Sequence, residues 1–384
     1  MQSIGLYGID EINLPGFKKV ATIDMQIPGE IDYKAKMPVH PKAIAIIGAG
    51  GIVKDAHLPA YKKAGWNVVS VCDPVMSKAE QLAAQFNICK VYDSIAQMLV
   101  NIPADVIFDV AVPASVLKEV LHQLPARATV MMQKPMGNNI EEAEEIVQLC
   151  RQKEFIAAMN FQMRFIPAVQ LAKAIIDRGI IGELHDLEIR MNIYHPWHLW
   201  KFLFGLPRME MLYHSIHYMD ILRYFFGEPQ KVYAKTLKHP KMMQLASTRS
   251  VILLEYDDII RAFINTNHGH EFGLKYQDSF IKFEGTKGAI RTTLGMNIDY
   301  PSGVPDTFEY VLLENGTVPE WKSVKLAGTW FPDAFLGSMA NLMCYAEGSA
   351  NVLVNSIDSA FRTMQLVEAA YVSSDSGGTN VPIS

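Results

Sequence analysis

Short apolar stretches alternate with amphipathic stretches of about 10–15 residues from Lys42 to about residue 160. The apolar stretches are typical of buried strands and cover residues 42–50, 67–73, 90–92, 104–113, 128–135 and 155–161. The stretches between them, such as MSKAEQLAAQF and IEEAEEIVQLCRQK, have the apolar spacing of helices. Strands that alternate with helices pair in parallel and carry helices on both faces of the sheet. The pattern therefore predicts a doubly wound α/β domain over residues 41–160.

Strands with period-two alternation predominate after residue 160, which changes the expected architecture. Gly, Asn and Pro turn signals separate these strands, which cover residues 182–193, 230–238, 247–256, 259–267 and 277–293. Helices are expected over residues 165–178, 214–226, 332–347 and 356–374. We therefore predict a second α/β domain, residues 161–384, built on a mostly antiparallel sheet. Prolines interrupt residues 1–40, which are expected to form an irregular extension over the body or a neighbouring subunit.

The charge balance and the apolar content exclude several kinds of partner. The chain has 35 Lys and Arg against 40 Asp and Glu, a formal net charge of −5, which argues against nucleic acid or an anionic membrane. No stretch of 18 apolar residues predicts a membrane span. Asp10 and Glu11 interrupt the apolar run that a signal peptide needs. The four cysteines lack metal-ligand spacing, so we predict reduced thiols in a cytoplasmic protein.

The turn GAGGIV, residues 48–53, joins the first predicted strand to the first predicted helix. Gly48 permits a tight turn, and Gly50 lets the backbone approach a pyrophosphate at the helix N-terminus. Asp73 closes the next strand, 25 residues after Gly48, where a carboxylate accepts hydrogen bonds from a ribose. Because that carboxylate repels a 2′-phosphate, NAD is predicted rather than NADP. Val53 takes the third glycine position, so looser helix–strand packing is expected there; an ordinary glycine turn is the alternative interpretation.

Lys134 stands at the end of an apolar strand, in the stretch MMQKPMG, where a charged side chain is unusual. Ligands of open α/β sheets bind at the C-terminal edges of the strands, and Lys134 lies at such an edge. Burial beside an oxidised nicotinamide would lower its pKa and allow acid–base catalysis at an alcohol or a carbonyl. A lysine that simply reaches the surface is the alternative. The bond between Lys134 and Pro135 is a candidate for cis geometry.

The stretch YHSIHYMD, residues 213–220, opens a predicted helix on which His214 and His217 share a face. This spacing is compatible with a metal pair, but no third ligand or carboxylate stands at a signature spacing. We therefore predict no metal site. A catalytic histidine and a hydrogen-bonded core histidine remain as alternatives.

Two further stretches carry candidate substrate-binding residues. In NFQMRF, the polar side chains of Asn160, Gln162 and Arg164 alternate with apolar ones. That pattern fits a segment with one face in a polar cleft and equally an edge strand with a solvated face. In YHPWHLWKF, Trp197 and Trp200 are candidates to stack on a sugar ring, and core packing is the alternative for at least one of them.

Taken in this order, the motifs resemble those of the Gfo/Idh/MocA family of nicotinamide-dependent oxidoreductases. The similarity runs from about Lys42 to the C-terminal helix SAFRTMQLVEAAYVSSDSG. The resemblance implies a Rossmann domain with a doubly wound parallel sheet, followed by an α/β domain with a large, mostly antiparallel open sheet. It also implies activity on sugars, inositols and related polyols.

The family's Glu-Lys-Pro signature is similar to QKP at residues 133–135, and its Asp-x-Gly-x-His-x-x-Asp segment is similar to residues 213–220. On this mapping Lys134 and His217 match the two principal catalytic positions. Gln133 replaces a glutamate beside the cofactor. Tyr213 replaces an aspartate, which removes a carboxylate that would favour protonated His217 or Lys134.

The residues and the resemblance together predict an NAD-dependent dehydrogenase for a sugar, inositol or polyol, acting as a homodimer or homotetramer. The catalytic candidates are Lys134, His217 and Tyr213. The cofactor-binding candidates are Gly48, Gly50, Gly51, Ile52, Asp73, Val112, Pro113, Gln133 and Lys134. The substrate-binding candidates are Asn160, Gln162, Arg164, Trp200 and His214. A redox-neutral NAD-dependent glycosidase and a non-catalytic NAD-binding regulator are the alternatives.

Overall fold

The computed structural model describes residues 30–380, whose strands form two sheets. The first sheet is parallel, with the strand order β3-β2-β1-β4-β5-β6. Its strands are β1 (Ala43–Ile47), β2 (Val68–Cys72), β3 (Val91–Tyr92), β4 (Val106–Val110), β5 (Thr129–Met132) and β6 (Ile156–Met159). The helices that connect them are α1 (Leu58–Ala64), α2 (Met76–Phe86), α3 (Ile95–Asn101), α4 (Ala114–Gln123) and α5 (Ile140–Gln152).

The strand order of the first sheet places a ligand site at its centre. The central strands β1, β4 and β5 are buried almost throughout, as their apolar sequences predict. The chain adds β2 and β3 on one side of β1, and β4, β5 and β6 on the other. Ligands of such sheets bind outside the carboxyl ends of the strands where the order reverses. The predicted doubly wound parallel sheet is confirmed.

The second sheet has the order β14-β13-β12-β11-β7-β10-β9-β8. Its strands are β7 (Leu184–Asn192), β8 (Lys231–Leu237), β9 (Arg249–Glu255), β10 (Arg261–Asn267), β11 (Asp278–Gly285), β12 (Gly288–Thr293), β13 (Phe308–Leu312) and β14 (Lys322–Ser323). Within residues 30–380, its neighbours pair antiparallel except β7 and β10, which are parallel. The helices of this half are α6 (Pro167–Asp177), α7 (Ile216–Phe226), α8 (Phe335–Ala346) and α9 (Ile357–Ser376). The prediction of a mostly antiparallel second sheet is therefore confirmed.

Several boundaries differ from the sequence-based expectation. Residues 277–293 form two strands rather than one, because Thr286 and Lys287 make the turn between β11 and β12. The short strands β13 and β14 carried no signal that we recognised. The helix expected from residue 214 begins at Ile216, because Glu210–Ser215 forms a wider π-helical segment.

The described part of the predicted N-terminal extension lies against the C-terminal half of the chain. The Tyr33 hydroxyl accepts a hydrogen bond from the backbone of Ala327 (2.7 Å). The Glu347 carboxylate accepts two from the backbone of Val39 and His40 (2.9 Å each). Residues 1–29, most of the predicted extension, lie outside the described residues. Among residues 30–380, no helix combines the length and the apolar character needed to cross a bilayer.

Candidate active site

The glycine turn after β1 has the geometry that a dinucleotide site needs. Gly48 has φ of 104°, and a Cβ there would lie 2.3 Å from the carbonyl oxygen of Ala111, so only glycine fits. A Cβ at Gly50 would meet no atom within 4 Å, so the chain is open to a ligand at that point. The turn, including Gly51 and Ile52, lies at the carboxyl end of β1 and leads into α1. These features fit a pyrophosphate against the backbone.

Val53, at the third glycine position, is fully buried. The helix does not start there as an α-helix: Val53–His57 forms a π-helical turn before α1. A π turn is wider than an α turn, which accommodates the extra side chain against the sheet. The looser helix–strand packing expected from the sequence stays a prediction.

The Asp73 carboxylate is fixed beside the glycine turn. Its two oxygens accept hydrogen bonds from the backbone of Ala49 (2.8 Å) and Val75 (2.9 Å). A carboxylate has about four acceptor positions, so these bonds leave capacity for the hydroxyls of a ribose. Asp73 also lies directly after β2, at the same edge as the glycine turn.

The ends of β4 and β5 complete this edge of the sheet. Val112 lies beside Gly48, since its Cγ1 would be 3.4 Å from a Cβ there, and Pro113 precedes the first residue of α4. The backbone N–H of Gln133 donates to the carbonyl of Val110 (2.8 Å), and the Gln133 side-chain oxygen accepts from the backbone of Lys134 (3.1 Å). The cofactor candidates of the sequence therefore converge on one edge.

Lys134 is partly buried just after β5, and its peptide bond to Pro135 is cis. The Lys134 ammonium donates to the backbone carbonyl of Tyr213, which belongs to the second half of the chain. No carboxylate lies within 4.0 Å of the amine in the part of the chain that the structure describes. Burial without a compensating anion lowers the Lys134 pKa to about 8. The amine is therefore poised to lose or gain a proton near neutral pH.

His217 and Tyr213 lie next to Lys134 but differ in what they can donate. Burial, and then the charge of Lys134, lower the pKa of His217, which keeps the ring neutral. Its Nδ1 is buried and makes no hydrogen bond to any residue that the structure describes, and its ring lies edge-on to Phe161 at 5.9 Å. Burial and the charge of Glu142 raise the pKa of Tyr213 to about 12. Tyr213 therefore stays protonated and donates to Asn138 (3.3 Å).

The NFQMRF segment is neither an edge strand nor solvated. Gln162–Phe165 forms a 3₁₀ helix, and Asn160 and Gln162 are buried. The Asn160 side-chain nitrogen lies 3.3 Å from Nε2 of His57, while the side-chain oxygens of Asn160 and Gln162 have no hydrogen-bond partner among residues 30–380. Because buried polar atoms are nearly always hydrogen-bonded, these two oxygens are available to a ligand.

Arg164 has a different environment from the other two polar residues of the segment. It forms two hydrogen bonds to the Asp220 carboxylate (2.5 and 2.6 Å), and it also donates to the carbonyl of Val354 and to Ser359. Both partners of this ion pair are at most 5% exposed. With its donors committed inside the protein, Arg164 holds α7 to the preceding segment, and we withdraw it as a substrate-binding candidate.

The aromatic segment after β7 divides between core and cleft. Trp197 is buried in a cluster with Leu203 and Met209, which accounts for it by core packing. Trp200 is only partly buried, with its ring 5.3 Å from Tyr300 and 5.0 Å from His195. Trp200 therefore keeps an accessible aromatic surface.

Sequence reasoning missed a buried polar network behind the glycine turn. Asp109 accepts from the Tyr61 hydroxyl (2.8 Å) and lies 2.7 Å from Nδ1 of His57, whose Nε2 faces Asn160. The available signal was the carboxylate in the otherwise apolar strand VIFDV. It also missed His195 and His268, which lie close to His214: one nitrogen of each ring lies within 4.8 Å of the other two.

Comparisons with known proteins agree with this geometry. Residues 42–161 match the model of an oxidoreductase family with an NAD-binding Rossmann fold, and residues 169–291 match the GFO/IDH/MocA C-terminal domain. D-glucoside 3-dehydrogenase from Escherichia coli (strain K12) is 29% identical over 203 residues, 51% of this chain and 57% of that protein. D-apiose dehydrogenase from Rhizobium rhizogenes is 22% identical over 348 residues, 87% of this chain and 96% of that protein.

The fold is also found in solved structures. An oxidoreductase from Agrobacterium radiobacter, in complex with NAD⁺, L-tartaric acid and magnesium, aligns with a TM-score of 0.73 and 19% identity. The alignment covers 88% of this chain and 97% of that one. Two successive family models thus match the two halves of the chain, in the order that the family has. The protein therefore belongs to the Gfo/Idh/MocA family of NAD-binding oxidoreductases.

Proposed function

We propose that the chain catalyses the reversible NAD-dependent oxidation of a hydroxyl group on a sugar, inositol or related polyol. The observation that carries the proposal is the environment of Lys134. Its amine lies at the ligand-binding edge of the parallel sheet, without a carboxylate partner among residues 30–380 and with a pKa of about 8. The names of relatives such as D-glucoside 3-dehydrogenase and D-apiose dehydrogenase support the substrate class.

The residues at the edge of the first sheet fit an NAD molecule. The backbone of residues 48–52 would hold the pyrophosphate, and Asp73 would accept from the ribose hydroxyls. Val112, Pro113 and Gln133 would line the same edge. When bound, NAD supplies the hydride chemistry, while the protein supplies orientation and proton transfer.

The proton is handled by Lys134 in this proposal. The neutral amine accepts the proton of the reacting hydroxyl, and in the reverse direction the ammonium returns it to the carbonyl oxygen. Neutral His217 hydrogen-bonds the same oxygen or a neighbouring one. Because its pKa is raised to about 12, Tyr213 acts as a donor and not as a base. Its bond to Asn138 ties the loop after β5 to the second half of the chain.

The substrate lies between this catalytic group and the second half of the chain. We propose that the unpaired oxygens of Asn160 and Gln162 accept hydrogen bonds from substrate hydroxyls. The accessible face of Trp200 would pack on the apolar face of a ring. His214, which lies in the same π-helical segment as Tyr213, would be a further residue that binds the substrate.

The pH dependence of the two directions follows from the lowered pKa of Lys134. Alcohol oxidation needs the neutral amine, so its kcat/KM should rise with pH and level off above about 8. Carbonyl reduction needs the ammonium, so its kcat/KM should fall over the same interval. Initial rates in both directions between about pH 6.5 and 9.5 test this, because kcat/KM reports the free enzyme. If kcat/KM rose with pH in both directions, or fell in both, Lys134 would not be the group that exchanges the proton.

Asp73 should make the protein prefer NADH to NADPH by roughly tenfold to a hundredfold, because its charge opposes a 2′-phosphate. Asp73→Asn keeps an acceptor for the backbone N–H of Ala49 but removes the charge, so the ratio of the dissociation constants for NADPH and NADH should decrease. Fluorescence titration with both cofactors measures the two dissociation constants. Asp105→Asn, an exposed carboxylate just before β4, is the control and should leave the preference unchanged. Tighter binding of NADPH by the wild type would overturn the prediction.

The function itself is tested by incubating the enzyme with NAD⁺ and a panel of aldoses, glucosides, inositols and polyols while NADH absorbance is recorded. NADH formation with a member of the panel supports the proposal. Release of an aglycone without net NADH would indicate a redox-neutral glycosidase instead. NADH binding with no turnover on the whole panel would favour a regulator.

We also propose that the chain self-associates, as a homodimer or homotetramer, through the outer face of the second sheet. Neighbouring strands β8 and β9 expose the apolar side chains of Tyr233, Leu237, Val251 and Leu253 on that face. Exposed apolar surface of this kind is typical of protein–protein contacts. A cytoplasmic location stays a prediction from the cysteines, none of which forms a disulfide within the described residues.

A further inference from the structure

Three histidines that are distant in sequence meet at one end of the second sheet. His195 follows β7 by three residues, and His268 follows β10 directly. Because β7 and β10 are parallel, their carboxyl ends meet, and the backbone of His195 donates to the carbonyl of His268 (3.0 Å). His214 reaches the same point from the π-helical segment before α7.

The three rings meet edge to face, so that their nitrogen atoms come close to one another. Their centroids are 4.4–5.4 Å apart, and their planes cross at 77–87°. One nitrogen from each ring lies within 4.8 Å of the other two. Zn–N bonds of about 2.0–2.1 Å in a tetrahedral site place the nitrogens roughly 3.3 Å apart, so small side-chain rotations would close the site.

Each of the three rings has a nitrogen atom that no neighbouring group uses among residues 30–380. The Nδ1 atoms of His195, His214 and His268 are all buried and have no hydrogen-bond partner within the described part of the chain. Leaving a buried polar atom unpaired is unfavourable, and three such atoms at one point are unusual. Packing among the surrounding aromatic rings accounts for the burial of the histidines but not for these unpaired atoms.

A buried carboxylate supports one ring from behind. Glu210 is fully buried, and its Oε1 accepts from the hydroxyls of Ser215 (2.7 Å) and Thr266 (3.0 Å). The same oxygen lies 3.1 Å from Nε2 of His268. When Nε2 of the neutral ring donates to Glu210, Nδ1 carries the lone pair. Metal-binding histidines are commonly oriented by a carboxylate in this way.

We propose that His195, His214 and His268 bind one divalent transition-metal ion of the zinc class, with Glu210 as the positioning residue behind His268. Three neutral imidazoles suit Zn²⁺, Co²⁺ or Ni²⁺, whereas Mg²⁺ and Ca²⁺ prefer oxygen ligands. Three protein ligands leave a coordination position open. This proposal replaces the expectation of no metal, which rested on the spacing of cysteines and histidines along the sequence.

The site adjoins the cleft of Lys134, since Lys134 bonds the carbonyl of Tyr213, the residue directly before His214. An ion there would bind a substrate oxygen in its open position and polarise it as a Lewis acid. This role rests on the proposed dehydrogenase function. The binding of the ion does not depend on that function, and it is tested by measuring metal binding rather than enzyme activity.

The test uses the full chain, stripped of metal with a chelator and titrated with Zn²⁺ by calorimetry and with Co²⁺ by visible spectroscopy. The wild type should bind one ion per chain and be stabilised by it against thermal unfolding. His195→Ala and His268→Gln should weaken binding by at least about 100-fold, and Glu210→Gln by about 10–100-fold. His122→Ala removes an exposed histidine of α4 and should bind like the wild type.

Absence of Zn²⁺ and Co²⁺ binding by the wild type would overturn the proposal. Equal binding by wild type and His268→Gln, with both folded by circular dichroism, would overturn it as well. Metal binding without NADH formation on any sugar would uphold the site and count against the proposed function. NADH formation by a protein that binds no metal would uphold the proposed function and count against the metal site.

Discussion

Lys134→Met is expected to lower kcat by about 10²–10⁴-fold, which is the range that general acid–base catalysis contributes. Methionine has a similar length but no group that exchanges a proton with the substrate. The glycine turn and Asp73 follow other strands of the sheet, β1 and β2, so the dissociation constant for NADH should stay close to that of the wild type. Steady-state rates with the best substrate and a fluorescence titration with NADH measure the two quantities.

The matched control for this substitution is Lys118→Met. Lys118 lies on α4, is about half exposed and pairs with Glu145, so the change removes the same charge away from the cleft. It should leave kcat within about twofold of the wild type. A Lys134→Met enzyme that retains more than a tenth of the wild-type kcat would contradict the role of Lys134 as acid and base.

Asp220→Ala is expected to lower the free energy of unfolding by about 3–5 kcal/mol. Asp220 is the anion of a buried pair with Arg164, and it also accepts from the hydroxyl of Thr363 (2.9 Å). Its removal leaves the guanidinium of Arg164 buried without a counter-charge, and that desolvation is the main cost. Urea unfolding, followed by tryptophan fluorescence and by far-UV circular dichroism, measures the change.

Glu145→Ala provides the comparison for a solvated ion pair. Its partner Lys118 and Glu145 itself are 45% and 53% exposed, so the pair is screened by water. Its loss should cost less than about 1 kcal/mol. If Asp220→Ala were no more destabilising than Glu145→Ala, the buried pair would not have the structural role that we give it.

The first sheet was predictable because each of its strands and helices can be recognised from the sequence of that segment alone. Each strand is a predominantly apolar run, all but β4 are followed directly by a glycine or a polar residue, and the helices between the strands have their own periodicity. Parallel pairing then follows from the alternation, and the carboxyl ends of β1, β2, β4 and β5 meet at one edge. The positions of Gly48, Asp73 and Lys134 therefore followed from the sequence once that edge was inferred.

The histidine cluster was not predictable in the same way. His195 and His268 meet only because β7 and β10 pair in parallel, with β8 and β9 between them in the sequence. Period-two alternation predicts which residues share a face of a strand but not which strand lies beside it. His214, which the helical spacing placed beside His217, also belongs to the histidine cluster.

Arg164 shows a second limit of sequence reasoning. Its alternation with apolar neighbours matched a strand, yet the segment is a 3₁₀ helix and the guanidinium turns inward to Asp220. A four-residue segment is too short for its period to distinguish these conformations, and its ion-pair partner lies 56 residues away in the sequence. Tertiary contact decided the role of this residue.

The most direct measurement of the proposed function is the fate of the hydrogen on the carbon that bears the reacting hydroxyl. A substrate from the panel is labelled with deuterium at that carbon and incubated with NAD⁺ and the enzyme, and the cofactor and the product are analysed by mass spectrometry. We expect the deuterium in the reduced nicotinamide, together with an equal amount of the carbonyl product. Two results would contradict hydride transfer from this substrate to NAD: a cleaved product that keeps its deuterium, or unchanged substrate, in each case with no labelled NADH.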